Sequence, residues 1–158
     1  LLREKKASKS ELQTLFRSLR LIPGAEETLL TLRNNGRRIA LISGSVDLAL
    51  ETVLPDYRNI FSDVFLNRLI FDENESLLEI DPTPFDMEHK ASGLIFLSEK
   101  YNISPEQIAF IGDHENDLHI ARSSGMSIAF NSKSSDLNQI CTIMIEKKDL
   151  REVLGYLQ

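Results

Sequence analysis

The sequence predicts an α/β domain of the doubly wound, mostly parallel kind. Short, almost wholly apolar runs at residues 39–42, 64–66, 108–111, 127–130 and 142–145 alternate with segments of helical periodicity. Strands alternating with helices build parallel sheets, and runs apolar on both faces suit strands covered on both sides. Two of the runs also end in polar, glycine-containing turns, Ser43-Gly44-Ser45 and Gly112-Asp113. Those turns fall at the carboxyl ends of strands, where such sheets bind their ligands.

Residues 1–20 are charged and carry a helical stripe through Leu12, Leu15, Phe16 and Leu19. Nothing catalytic shows there. Pro23-Gly24 punctuates, and a second helix from about Ala25 places Leu29 and Leu32 on one face before Gly36 stops it. The strand at 39–42 leads through Ser43-Gly44-Ser45 into a helix marked by Val46, Leu50 and Val53, which runs to Pro55. Next comes Val64-Phe65-Leu66, then Leu69-Ile70-Phe71, an acidic turn at 72–75 and a return at 77–80 as a small hairpin. After the extended loop 81–84, a longer helix with Met87, Ala91, Leu94, Ile95 and Ser98 on one face ends near Tyr101-Asn102. The strand at 108–111 breaks at Gly112, and a helix from Asp117 through Leu118, Ala121 and Arg122 stops at Gly125. Residues 131–135 read as a polar loop between the last two strands. Asp149 reads as the cap of a closing helix with Leu150, Val153, Leu154 and Leu157.

With 158 residues the chain matches one domain with a real core. The net charge of −6 argues against a general nucleic-acid binder or a protein of anionic membrane surfaces. No apolar run approaches the roughly 20 residues that span a bilayer. Leu1-Leu2 is followed at once by Arg3-Glu4-Lys5-Lys6, which is not a signal peptide. The one cysteine, Cys141, sits among Ile140, Thr142 and Ile143 and reads as a buried core thiol. It agrees with a reducing compartment, so a cytoplasmic location is expected. Oligomeric state is not legible.

Three strand-edge signals occur in order: Ser43-Gly44, Lys90, and Asp113 with Asp117. A serine hydroxyl and the following glycine N–H can donate to phosphoryl oxygens. A lysine ammonium can offset charge on a phosphoryl group. Two carboxylates at a strand end suit Mg²⁺, which takes one or two carboxylates together with substrate phosphate. Each also has a plain reading: Ser43 as a helix cap, Lys90 as surface charge, Asp117 as a cap in a strand-to-helix loop.

Jointly these residues resemble the haloacid-dehalogenase-type phosphohydrolases, and within them the phosphoserine phosphatases. The likeness extends over Pro23-Gly24-Ala25-Glu26-Glu27-Thr28, Ile42-Ser43-Gly44, Asn67-Arg68-Leu69, Lys90-Ala91, Gly112-Asp113 with Asn116-Asp117, Ile128-Ala129-Phe130-Asn131-Ser132-Lys133, and 145–152. The resemblance implies a Rossmann-like core over residues 21–158 and a remnant of a helical cap over 1–20. It implies that Ser43 and Gly44 bind phosphate, Lys90 neutralises it, and Asp113 ligates Mg²⁺. Asn116 and Asp117 would complete the site, with Asp117 near the metal through water or Lys90. The expected ligand is a small phosphorylated metabolite, phosphoserine or similar. The sequence departs from the pattern at Ser45, where a second glycine is usual, and at His114-Glu115, where small residues are usual; His114 reads as an exposed loop residue.

The larger departure is an absence. The superfamily's nucleophile sits in an Asp-x-Asp motif ending the first strand, and no Asp-x-Asp occurs in this sequence. On the resemblance, the central strand, the nucleophile and most of the cap are expected to be missing, and the chain alone is expected to be inactive. The alternative is a non-catalytic phosphate- or Mg²⁺-binding module. A receiver domain also gathers carboxylates, Ser/Thr and Lys at such an edge, but with the acids first and the lysine last, opposite to the order here. Without a central strand, the runs at 39–42 and 108–111 must pair directly, gape apart or recruit another chain.

Overall fold

A computed structural model describes residues 7–86 and 89–157. Met87, expected on a helix face, and the segment 1–6 lie outside the described residues. The elements are α1 (Lys9–Phe16), α2 (Ala25–Asn34), β1 (Ala40–Val46), α3 (Asp47–Val53), α4 (Tyr57–Ile60), β2 (Asp63–Phe71), β3 (Leu77–Asp81), α5 (Lys90–Tyr101), β4 (Ala109–Gly112), α6 (Leu118–Ser123), β5 (Met126–Phe130), α7 (Ser135–Ile140) and β6 (Ile143–Ile145). The closing segment, Leu150–Gly155, is a 3₁₀ helix rather than an α-helix. As expected, Asp149 caps it by accepting the Arg151 N–H.

The strands form two three-stranded sheets, ordered β1-β2-β3 and β4-β5-β6. Pairing is parallel between β1 and β2, β4 and β5, and β5 and β6, and antiparallel in the β2-β3 hairpin. The fold is therefore α/β and mostly parallel. β1 and β4 do not pair with each other, which removes one of the three arrangements the sequence allowed.

Helices join the halves. On α2, Leu29 packs against the cluster of Leu54, Tyr57 and Ile60, beside Val64 of β2. The N-terminal end of α2 is tied to the chain's other end, where Leu150 N–H donates to Pro23 C=O at 2.8 Å. There Val153 is wholly buried with Ile128, Phe130 and Ile145. The second connection is α5, which packs on both β1 and α6. Its buried face carries Gly93, Leu94 and Leu97, whereas Ile95 is 44% exposed. The sequence reading that put Ile95 with Leu94 is thus corrected: adjacent helical residues diverge by about 100°, and Leu97 completes the stripe. Phe96 instead joins Phe65 and Phe85 in an aromatic cluster with centroids 4.9–5.7 Å apart.

Leu12 of α1 is buried with Leu48, Leu69 and Leu77. Backbone bonds from Lys9 N–H to Glu75 C=O and from Leu77 N–H to Ala7 C=O fasten this segment to the hairpin. Leu15 and Leu19 of the expected stripe are 59% and 49% exposed, and Leu19 lies beyond the end of the helix at Phe16. Cys141 is partly buried beside the Ala121, Ala129 and Leu137 cluster, and burial raises its thiol pKa. Among the described residues, no helix is long and apolar enough to cross a membrane.

Candidate phosphate site

The β1-β2 ladder runs through Ala40, Leu41 and Ile42, skips three residues and resumes at Val46 opposite Asn67. The skipped residues are Ser43, Gly44 and Ser45, so the polar turn bulges out of the pairing at the carboxyl end of β1. Asn67 holds it there. Its Nδ2 donates to Gly44 C=O at 2.8 Å, and its Oδ1 accepts the Thr83 N–H at 2.9 Å. The serine side chain is turned into the bulge, where Ser43 Oγ accepts the Ser45 N–H at 3.2 Å. The Asp86 carboxylate lies against Gly44, where an added Cβ would collide with Asp86 Oδ1. A larger residue at 44 would have to displace that carboxylate. The contact is also the point at which the β1 turn meets the segment leading into α5.

Lys90 is the first residue of α5. Its Nζ lies 2.6 Å from Asp117 Oδ1 and 3.4 Å from Asn116 Oδ1. The pair is largely dry, with side-chain exposures of 12% for Lys90 and 4% for Asp117. Asp117 closes the 3₁₀ turn Glu115–Asp117. Its second oxygen, Oδ2, accepts the N–H groups of Asp113 and His114, each at 3.1 Å. The carboxylate thus fixes the loop leaving β4 with one oxygen and the ammonium of Lys90 with the other. Gly112 is required beneath it, since a Cβ there would strike Asp117 Oδ2. His114 is exposed, and its Nδ1 accepts the Asn116 N–H at 3.4 Å.

Lys90, Asn116 and Asp117 therefore stand together, with Asp113 one loop away and exposed to solvent. Ser43 and Gly44 approach the same helix start through Asp86. Sequence reasoning gave two positioning residues no role: Asn67, which entered only with the likeness over Asn67-Arg68-Leu69, and Asp86. Asn67 carried a signal, a lone amide between apolar runs in one strand. Asp86 carried none, because its role depends on a contact with residue 44 across the fold.

The donor set suits Mg²⁺ only in part. Among the described residues, no group of three or more His, Cys, Asp or Glu side chains is placed to hold a metal. Both oxygens of Asp117 are engaged, which leaves Asp113 as the exposed carboxylate of the site. One carboxylate with water and phosphate oxygens is within the range Mg²⁺ accepts. It is one corner of a coordination sphere.

The chain is 31% identical over 135 residues to the phosphoserine phosphatase of Methanocaldococcus jannaschii, covering 85% of this chain and 63% of that protein. It is 27% identical to the phosphoserine phosphatase of Idiomarina loihiensis, covering 94% of this chain and 66% of the relative. It therefore spans just under two thirds of the length of these curated relatives. A solved phospho-aspartyl intermediate analogue of phosphoserine phosphatase superposes with a TM-score of 0.82 at 27% identity, over 97% of this chain and 72% of that one. Residues 49–155 match the family described as haloacid dehalogenase-like hydrolase. That match covers most of the chain, which accordingly belongs to the haloacid dehalogenase-like hydrolases.

Proposed function

We propose that the chain carries the phosphate-binding and charge-neutralising half of a Mg²⁺-dependent phosphomonoesterase of the phosphoserine phosphatase type. The observation that carries this is the buried Lys90–Asp117 pair, which joins the start of α5 to the loop leaving β4. A lysine held this way stabilises nothing cheaply, because two desolvated charges cost more than an exposed pair. Its place beside Asn116 and the β4 loop suits an incoming phosphate dianion. In this reading Ser43 Oγ and the Gly44 N–H donate to phosphoryl oxygens, and Lys90 offsets their charge. Asp113 supplies one Mg²⁺ ligand, and the metal would polarise the phosphoryl group. Asp117 orients Lys90. The nucleophile would be an aspartate of an Asp-x-Asp strand end, forming an aspartyl-phosphate that water then hydrolyses.

A second reading is a module that binds phosphate without turning it over. It is favoured by the absence of Asp-x-Asp from the sequence. Phosphate release from O-phosphoserine separates the two when measured for this chain and for a version extended by an upstream strand ending in Asp-x-Asp. The enzyme reading expects turnover only in the extended protein. An extended protein that binds phosphate yet releases none supports the module, and a chain that binds no phosphate overturns both.

A further inference from the structure

The end of α5 remote from Lys90 is fastened to the first sheet by polar bonds. Asp63, the first residue of β2, accepts from both the Lys100 ammonium and the Tyr101 hydroxyl. Its side chain is 7% exposed, against 44% for Lys100. The Arg38 guanidinium, just ahead of β1, stacks over the Tyr101 ring at 4.5 Å. Among the described residues, the two bonds to Asp63 are the side-chain hydrogen bonds that run from α5 to the β1-β2-β3 sheet. Further along the helix the contacts are apolar: Phe96 meets Phe65 with centroids 5.7 Å apart, and Gly93 lies against Ile42. Apolar contact is non-directional, and Gly93 has no side chain to key the helix along its axis. The bonds to Asp63 therefore set how far α5 stands along β2.

The helix runs antiparallel to the strand, since Tyr101 meets Asp63 and Phe96 meets Phe65. From Lys100 back to Lys90 the helix rises about 15 Å, and from Asp63 on to Asn67 the strand rises about 13 Å. The two reaches nearly match. A helix held at Asp63 thus carries Lys90 to the level at which Asn67 holds Gly44. We infer that Asp63 is a positioning residue for phosphate binding, fixing through Lys100 and Tyr101 the height of Lys90 against the Ser43-Gly44 turn. The inference rests on the phosphate reading of that turn and of Lys90. Asp63 itself, a strand's length from the turn, touches no phosphate.

Calorimetric titration of the whole chain with inorganic phosphate tests it, with urea melts to show that each variant is folded. Asp63→Ala should weaken phosphate binding about 3- to 10-fold. Asp63→Asn should recover most of that loss, because its amide oxygen still accepts from Tyr101. Tyr101→Phe and Lys100→Met remove one bond each and should weaken binding about 2-fold; they carry the test if Asp63→Ala does not fold. In a Lys90→Gln background Asp63→Ala should cost no further affinity, since the group it positions is gone. Phosphate bound by these folded variants as tightly as by the unaltered chain overturns the positioning role and leaves the phosphate site standing. An undiminished loss in the Lys90→Gln background also overturns it, by showing that Asp63 reaches the site by another route. If the unaltered chain binds no phosphate, the phosphate reading falls and this role with it.

Discussion

Lys90 Nζ and Asp117 Oδ1 meet at 2.6 Å although 27 residues separate them, and the aspartate side chain is only 4% exposed. Removing one partner of such a pair leaves a desolvated charge, which costs about 3 kcal/mol. Lys90→Ala should therefore destabilise the chain by about that amount. Asp117→Asn should be milder than Asp117→Ala, since an amide oxygen can still accept the Asp113 and His114 N–H groups. Urea melts of the three variants check this. A Lys90→Ala midpoint equal to that of the unaltered chain would mean that the ammonium is solvated and the pair is incidental.

Asp113 has the opposite character, an exposed carboxylate at the mouth of the site. If it ligates Mg²⁺, Asp113→Asn should weaken Mg²⁺ binding at least about tenfold, because loss of mere supporting residues already costs that much elsewhere. The fold should be untouched. Titration with Mg²⁺ in the presence of inorganic phosphate gives the comparison. Matching affinities in the two proteins would assign the metal to other ligands.

The strand ends were legible because a continuous apolar run that stops at Ser-Gly or Gly-Asp carries two signals at once, burial and a turn. β1 and β4 came from such runs. β2 was legible only in pieces, since Asn67-Arg68 interrupts its apolar pattern; the strand continues because Asn67 is bonded to Gly44 and Thr83. α4 and α7, of four and six residues, are too short to display a 3.6-residue period. The closing helix had the right apolar spacing, but spacing does not separate a 3₁₀ from an α turn over six residues. At the site, residue types and order were readable from the chain. The sharing of one carboxylate between Lys90 and two backbone N–H groups was not, because it depends on how the two halves meet.

Asp149 gives a pH-dependent handle on the junction of the chain's two ends. The Arg151 guanidinium bonds its carboxyl group and lowers its pKa from 3.8 to about 2. Arg151 also reaches Glu27 of α2 at 3.4 Å. A carboxyl group whose pKa is lower folded than unfolded adds stability above its unfolded pKa and loses it as pH falls through the folded one. The stability gap between the unaltered chain and Asp149→Asn should therefore be constant above about pH 4 and close as pH falls toward about 2. Urea midpoints across that range check it. A gap that persists unchanged at the acid end would assign the effect to the cap hydrogen bond and not to ionisation.

The remaining prediction concerns the strands that do not meet. β1 pairs only with β2, and β4 only with β5, although both are parallel strands whose runs are apolar on both faces. Parallel strands of this kind normally lie inside a sheet. Here each leaves a row of backbone N–H and C=O groups without a ladder partner among the described residues, and Ala40 and Ala109 are exposed. Such rows template pairing with another chain. No residue of β1 or β4 is buried, so neither strand contributes the full burial of its apolar run to a typical net stability of about 5–15 kcal/mol. The chain on its own should thus be marginally stable and self-associate as concentration rises. Sedimentation velocity over a concentration series, paired with urea melts, measures both. Adding a strand that pairs with both edges should suppress the association and steepen the melt, because more surface is then buried on folding. A chain that stays monomeric and melts as steeply without that strand would show that the two halves close on each other in solution, and the edges would then carry no liability.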